Sequence, residues 1–190
     1  IEYGKTYEGR PLMLAFISSV DNMDKLEQIR KDNLTRAGII KGSTKTKKVG
    51  IVWLSYNVHG NEANSTEAAM KTLHAFADKS NINTQEWLKN TVVIIDPSVN
   101  PDGRDRYANW YRMTANRWPD ADPLGREHME PWPGGRTNHY YFDLNRDWAW
   151  QTQIESQQRI IKYNEWLPHI HVDFHEQGYN SPYFFAPAAK

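Results

Sequence analysis

Residues 49–56, Val-Gly-Ile-Val-Trp-Leu-Ser-Tyr, are almost continuously apolar, the pattern of a strand covered on both faces. The run stops at Asn57-Val58-His59-Gly60-Asn61-Glu62, and Asn64-Ser65-Thr66-Glu67 then offers helix caps to a segment with Ala68, Ala69, Leu73, Phe76 and Ala77 at helical spacing. Asn81 to Asn83 breaks that helix, and a second apolar run, residues 91–97, follows. Strand, helix and strand at this spacing make a βαβ crossover, so the chain is predicted to fold as an α/β sheet with helices on its faces. Ligands and metals sit at the carboxyl ends of strands in such sheets. His59 and Glu62 stand three residues apart at such an end, and both residue types ligate zinc.

The remaining segments are less regular. Tyr7-Glu8-Gly9-Arg10-Pro11 reads as a polar turn and residues 12–17 as one short strand. Residues 22–38 have the charge pattern of a solvated helix. The run Lys41-Gly42-Ser43-Thr44-Lys45-Thr46-Lys47-Lys48 is basic and rich in small residues; with a neutral total charge it reads as a solvated loop rather than a phosphate contact. Asn100-Pro101-Asp102-Gly103 is a turn signature, and residues 104–136, with Pro119, Pro123, Pro131, Pro133 and Trp110, Trp118 and Trp132, are predicted to form a long ordered loop near a site. Asp147 is placed to cap a helix running to Trp166. Residues 182–185 are predicted to form a further strand lining the cleft.

Composition closes off several chemistries. With 190 residues the expectation is a single domain over residues 1–190. Lys plus Arg equals Asp plus Glu at 23 each, so no basic field points to nucleic acid, and no apolar run reaches the length of a membrane span. The absence of cysteine removes thiol catalysis, disulfides and cysteine-based zinc sites. A metal here must be held by His, Asp, Glu or backbone oxygen.

Residues 169–175, His-Ile-His-Val-Asp-Phe-His, alternate polar and apolar with the period of a strand and place three histidines and an aspartate on one face. His175, at the carboxyl end, reaches the same sheet edge as the His59 turn; His171 and His169 lie roughly 14 and 20 Å deeper at about 3.4 Å per residue. His59, Glu62 and His175 are therefore the predicted metal ligands. Two histidines and a glutamate leave a fourth zinc position for water, as in zinc peptidase sites.

Taken in order, His59-Gly60-Asn61-Glu62, Asn100-Pro101-Asp102-Gly103, Asp143-Leu144-Asn145-Arg146-Asp147-Trp148 and Asp173-Phe174-His175 resemble the motifs of the zinc carboxypeptidase family typified by carboxypeptidase A. Tyr7-Glu8-Gly9-Arg10-Pro11-Leu12 resembles a phrase near the start of that catalytic domain. The resemblance implies a mixed, largely parallel twisted sheet with helices on both faces, Zn2+ as cofactor, and peptides with a free carboxylate as substrates. It implies that His59, Glu62 and His175 bind the zinc, that Asp143 supports His59, and that Asn145 and Arg146 take the substrate's terminal carboxylate. An arginine beside an amide supplies the forked, charge-assisted donors a carboxylate accepts. For the family's carbonyl-polarising arginine, Arg112 is the first candidate and Arg117 the second.

The family's general-base glutamate and substrate-capping tyrosine lie beyond the third zinc ligand, and here only residues 176–190 follow His175. Glu176 is the sole carboxylate among them and, on a strand, would point away from His175. The base is thus expected outside this chain, which reads as the amino-terminal part of a truncated catalytic domain with zinc binding but little hydrolysis of its own. The resemblance also suggests a secreted or periplasmic setting. Alternative functions are a zinc amidase, deacylase or peptidoglycan peptidase of the same fold, or a non-catalytic zinc- or peptide-binding module. A metal-dependent amidohydrolase using His169 and His171 would need a barrel of about 250 residues.

Overall fold

The computed structural model describes residues 1–178; the strand expected over residues 182–185 lies outside the described residues. The two apolar runs form the centre of a four-stranded sheet. Strand β4 (Gly50–Tyr56) pairs in parallel with β5 (Thr91–Asp96) on one side and with β6 (Ile170–Phe174) on the other. Strand β3 (Ala15–Ile17) adds antiparallel to β5, giving the order β3-β5-β4-β6. The sheet is therefore mixed and largely parallel.

Residues 12–17 do not form one strand. They split at Leu14 into β2 (Pro11–Met13), which joins β1 (Glu2–Lys5) in a separate antiparallel pair, and β3. Leu14 is buried, and its amide donates to the Ile1 carbonyl, so the chain changes sheets without leaving that amide unpaired.

Helices cover both faces because β4 and β5 alternate their side chains. Ile51, Trp53, Val92 and Ile94 pack with Ile29 of α2 (Leu26–Arg36) and Trp166 of α6 (Ile154–Trp166). Leu54, Tyr56, Val93 and Ile95 pack with Ala69 of α3 (Asn64–Ala77) and Leu88 of α4 (Ile82–Leu88). Each such buried aliphatic or aromatic side chain stabilises the fold by about 1.5–3 kcal/mol relative to exposure. A short α1 (Val20–Met23) precedes α2. No helix among the described residues is long and apolar enough to cross a membrane.

The turn signature at Asn100 proves to be a helix start. Asn100 Oδ1 accepts from the Gly103 amide at 3.0 Å, Pro101 occupies the first turn, where its missing N–H costs nothing, and α5 runs over Pro101–Thr114. The irregular segment therefore begins only after Thr114. The polar turn at Tyr7 docks on this helix start: the Thr6 hydroxyl and Arg10 Nη1 donate to buried Asp102 Oδ1 at 2.7 and 2.8 Å. Asp147 is not the cap of α6. Its carboxylate accepts the Thr152 and Gln153 amides and the Thr152 hydroxyl, folding residues 148–153 as a loop before the helix begins.

Asp32 of α2, 1% exposed, pins the basic loop. Its Oδ2 accepts the amides of Lys45 and Thr46 and the Thr46 hydroxyl, and its Oδ1 accepts from Gln28. Burial alone would raise its pKa, but the hydrogen bonds from Thr46, Gln28 and Lys45 outweigh it and hold the carboxyl well below the ordinary carboxylate range. A folded-state value below the unfolded one stabilises the fold above about pH 4, and this contribution is lost as pH falls from there toward the folded value. Denaturation of the wild type is expected to lose stability below about pH 4 more steeply than that of Asp32→Asn; parallel pH profiles would refute the role assigned to Asp32.

Candidate metal centre

The turn after β4 is shaped by Asn57. Its φ of 60° is a left-handed conformation that Asn tolerates better than most residues, and its buried side-chain amide donates to the carbonyls of His59, Gly60 and Glu62 at 2.8, 3.3 and 3.1 Å. The turn is thereby folded around one side chain, which fixes where His59 and Glu62 point. Below it, Val58, Val99 and Leu144 form a small apolar cluster.

Three close backbone approaches seat the turn against its neighbours. A Cβ on Gly60 would overlap the backbone at Gly103, Arg104 and Gly135, and one on Gly103 would overlap the Gly135 and Thr137 carbonyls. The His59 turn, the first turn of α5 and the turn at residues 135–137 thus meet backbone to backbone. Asn100 Nδ2 donates to the Arg136 carbonyl at 3.2 Å, and Glu130 accepts from Asn61 Nδ2 and from the Gly135 amide.

His59, Glu62 and His175 come together. One ligand atom from each lies within 4.8 Å of the others. The Glu62 carboxylate stands between the rings, Oε1 2.8 Å from His59 Nδ1 and Oε2 3.2 Å from His175 Nδ1. Donors around a tetrahedral zinc with bonds of 2.0–2.1 Å are about 3.3 Å apart, so the spacing and the N/O donor chemistry fit that ion. The far nitrogen of each ring faces an aspartate: His59 Nε2 is 3.1 Å from Asp143 Oδ1, and His175 Nε2 is 3.0 Å from Asp173 Oδ2. Such outer carboxylates set the tautomer and orientation of a ligating imidazole. Burial pushes Glu62 and Asp143 up, but His59 on both, the Glu176 amide on Glu62 and Arg136 on Asp143 prevail, leaving both carboxyls below their ordinary values and anionic.

Asn145 sits in a short 3-10 turn, Leu144–Arg146, capped by Asp143, and its Nδ2 lies 3.4 Å from His175 Nε2. Arg146 is exposed beside it and has no ion-pair partner among the described residues. The structure does not bring Arg112 or Arg117 to this group. Arg112 is exposed in the last turn of α5, and Arg117 is exposed with its guanidinium 5.7 Å from the Trp118 ring. The arginine at the centre is Arg136, whose Nε and Nη2 donate to Asp143 Oδ2 at 3.2 and 3.0 Å and whose Nη1 is 3.9 Å from Glu62 Oε1. Sequence spacing missed it; the only local signal was the Gly134-Gly135 pair before it. Asp173 was also missed as a partner of His175, although both lie on one strand face.

The other strand histidines are occupied elsewhere. His169 Nδ1 accepts from the Ile51 amide at 3.0 Å and His171 Nε2 is 2.8 Å from Ser55 Oγ, so both tie β6 to β4. Glu176 leaves the strand and turns to α3, where Oε1 accepts from the Ser65 amide at 3.2 Å and Oε2 from Asn64 Nδ2 at 3.4 Å.

A family model described as zinc carboxypeptidase matches residues 1–165. The chain belongs to the zinc carboxypeptidase family. Among solved structures, a metallo-carboxypeptidase from Burkholderia cenocepacia is similar over 93% of this chain and 36% of its own, with 16% identity and a TM-score of 0.60. Carboxypeptidase A from Helicoverpa armigera is similar over 94% and 40%, with 18% identity and a TM-score of 0.52. Bovine thrombin-activatable fibrinolysis inhibitor, solved in complex with tick carboxypeptidase inhibitor, is similar over 93% and 53%, with 15% identity and a TM-score of 0.52. These likenesses show the zinc carboxypeptidase fold, and this chain spans about a third to a half of each. No curated protein is significantly similar in sequence.

Proposed function

We propose that the chain carries the metal- and carboxylate-binding side of a zinc carboxypeptidase-type hydrolase that removes residues from the carboxyl ends of peptides. The reading is supported chiefly by the His59–Glu62–His175 group, with an aspartate on the far nitrogen of each imidazole and with Asn145 against His175. Zinc held by these three residues would supply Lewis acidity toward the scissile carbonyl and a more acidic water.

The other residues act by position and charge. Asp143 and Asp173 hold the imidazoles by Nε2 and leave each Nδ1 facing Glu62, where it would be available to a metal. Arg146, without an ion-pair partner among the described residues and next to Asn145, offers the fork for a terminal carboxylate. Arg136 is fixed by Asp143 beside the metal ligands, where its guanidinium stabilises negative charge developing on the carbonyl oxygen. Glu176 is engaged at the start of α3, which supports a general base contributed by the rest of the whole protein. The resemblance to the family supports a secreted or periplasmic setting.

Assay of the whole protein on matched peptides with free and amidated carboxyl termini tests the reading. Preference for the free carboxylate is expected, and Arg146→Ala should reduce kcat/KM on it by about 10- to 100-fold, the worth of a charge-assisted hydrogen bond. Equal cleavage of both peptides would instead identify an amidase, deacylase or endopeptidase.

A further inference from the structure

The basic loop finds a use that the metal centre does not explain. At the opposite end of β4, roughly 20 Å along the strand from the metal turn, a cleft of about 630 Å³ is lined by Lys25, Lys45, Lys47 and Lys89 over an apolar floor of Ile29 and Val49. Asp21 is the one carboxylate in its lining. The cations are not arranged by chance of a loose loop. Asp32 fixes the backbone at Lys45 and Thr46, and Lys47 Nζ rests on two neutral acceptors, the Lys89 carbonyl at 2.9 Å and Asn90 Oδ1 at 3.0 Å. Lys89 pairs with Glu86, while Lys25 and Lys45 have no ion-pair partner among the described residues. In a chain of zero formal charge, a cleft bordered by four lysines, of which Lys25, Lys45 and Lys47 have no carboxylate partner among the described residues, is a local excess of positive charge that a bound anion relieves.

We propose that this cleft binds a small polyphosphorylated ligand whose phosphoryl oxygens lie among Lys25, Lys45, Lys47 and Lys89. Ammonium groups act on phosphate as point charges, whereas a planar carboxylate favours the arginine fork, and no arginine lines the cleft. The volume suits a ligand of nucleotide size. A long anionic polymer would call for a basic stripe and an excess of positive charge, and the chain has neither excess nor stripe beyond this loop. Because the loop is already pinned by Asp32, little ordering entropy is spent when the anion enters.

The test is titration of the purified chain with inorganic pyrophosphate at physiological salt, followed by calorimetry and by amide shifts. Saturable binding is expected, with shifts at Lys45, Thr46 and Lys89 and an affinity at least about 10-fold weaker in Lys25→Ala/Lys45→Ala. Lys41→Ala/Lys48→Ala removes the same charge outside the cleft and should bind as the wild type does. Absence of saturable binding, or equal weakening in the two double variants, overturns the site. Tighter binding of heparin or single-stranded RNA than of pyrophosphate, lost with the same lysines, overturns the small ligand in favour of a polymer. Zinc content is expected to stay unchanged in both variants, so this proposal and the metal centre stand or fall separately.

Discussion

Alanine at His59, Glu62 or His175 is expected to weaken zinc binding by the purified chain by more than about 100-fold, since loss of an outer partner alone costs about 10- to 100-fold. Glu62 stands between the two imidazoles, and one ligand atom from each of the three residues lies within 4.8 Å of the others. His169 and His171, held on Ile51 and Ser55, are expected to be dispensable for the metal. Zinc stoichiometry by elemental analysis after gel filtration decides the point. Full retention of zinc by all three single variants would refute the centre, and loss only on changing His169 and His171 would relocate it toward the start of β6.

The second large effect is steric. Alanine at Gly60 or Gly103 must push apart backbone segments that pack directly on one another, the nearest atoms in both cases being main chain. A loss of about 3 kcal/mol is expected, at the upper end for overpacking, because backbone cannot re-rotamer. Chemical denaturation would show it as a shift in midpoint at unchanged slope. Alanine at Gly9, where nothing lies within 4 Å but φ is +80°, should cost about 1 kcal/mol, the backbone penalty alone. Similar losses at all three glycines would mean that the close approach at Gly60 is not what holds the centre together.

Much of this architecture is legible in the chain because burial writes directly onto it. β4, β5, α3 and β6 declare themselves through apolar runs or alternation, and their parallel order follows from the crossover between β4 and β5. His59, Glu62 and His175 could be grouped because strand ends in a parallel sheet share one edge. What stayed hidden depended on contacts between distant segments. Asn100-Pro101-Asp102-Gly103 has the composition of a turn as well as of a capped helix start, and the docking of Thr6 and Arg10 on Asp102 and of Gly135 on Gly103 accompanies its folding as the first turn of α5. Arg136 lies in a segment without periodicity, so no local rule separates it from Arg112 or Arg117. Its place is set by Asn100 and Gly60 gripping its own carbonyl. Asp147 was legible as a capping residue but not as the organiser of a loop, because its acceptors serve residues five and six positions on rather than the next turn.

The metal centre borrows one ligand from the margin of the sheet. Among the described residues β6 has a neighbour on one side only, β4, and its Ile170 and Val172 are exposed at 56% and 37%. A strand left that way presents a row of free amides and carbonyls that will recruit any extended segment it meets. The strand that delivers His175 is thus held from one side only among the described residues. Zinc held by His59, Glu62 and His175 would act as a clasp that opposes fraying of β6, so soluble yield should rise with metal in the growth medium and fall with chelator.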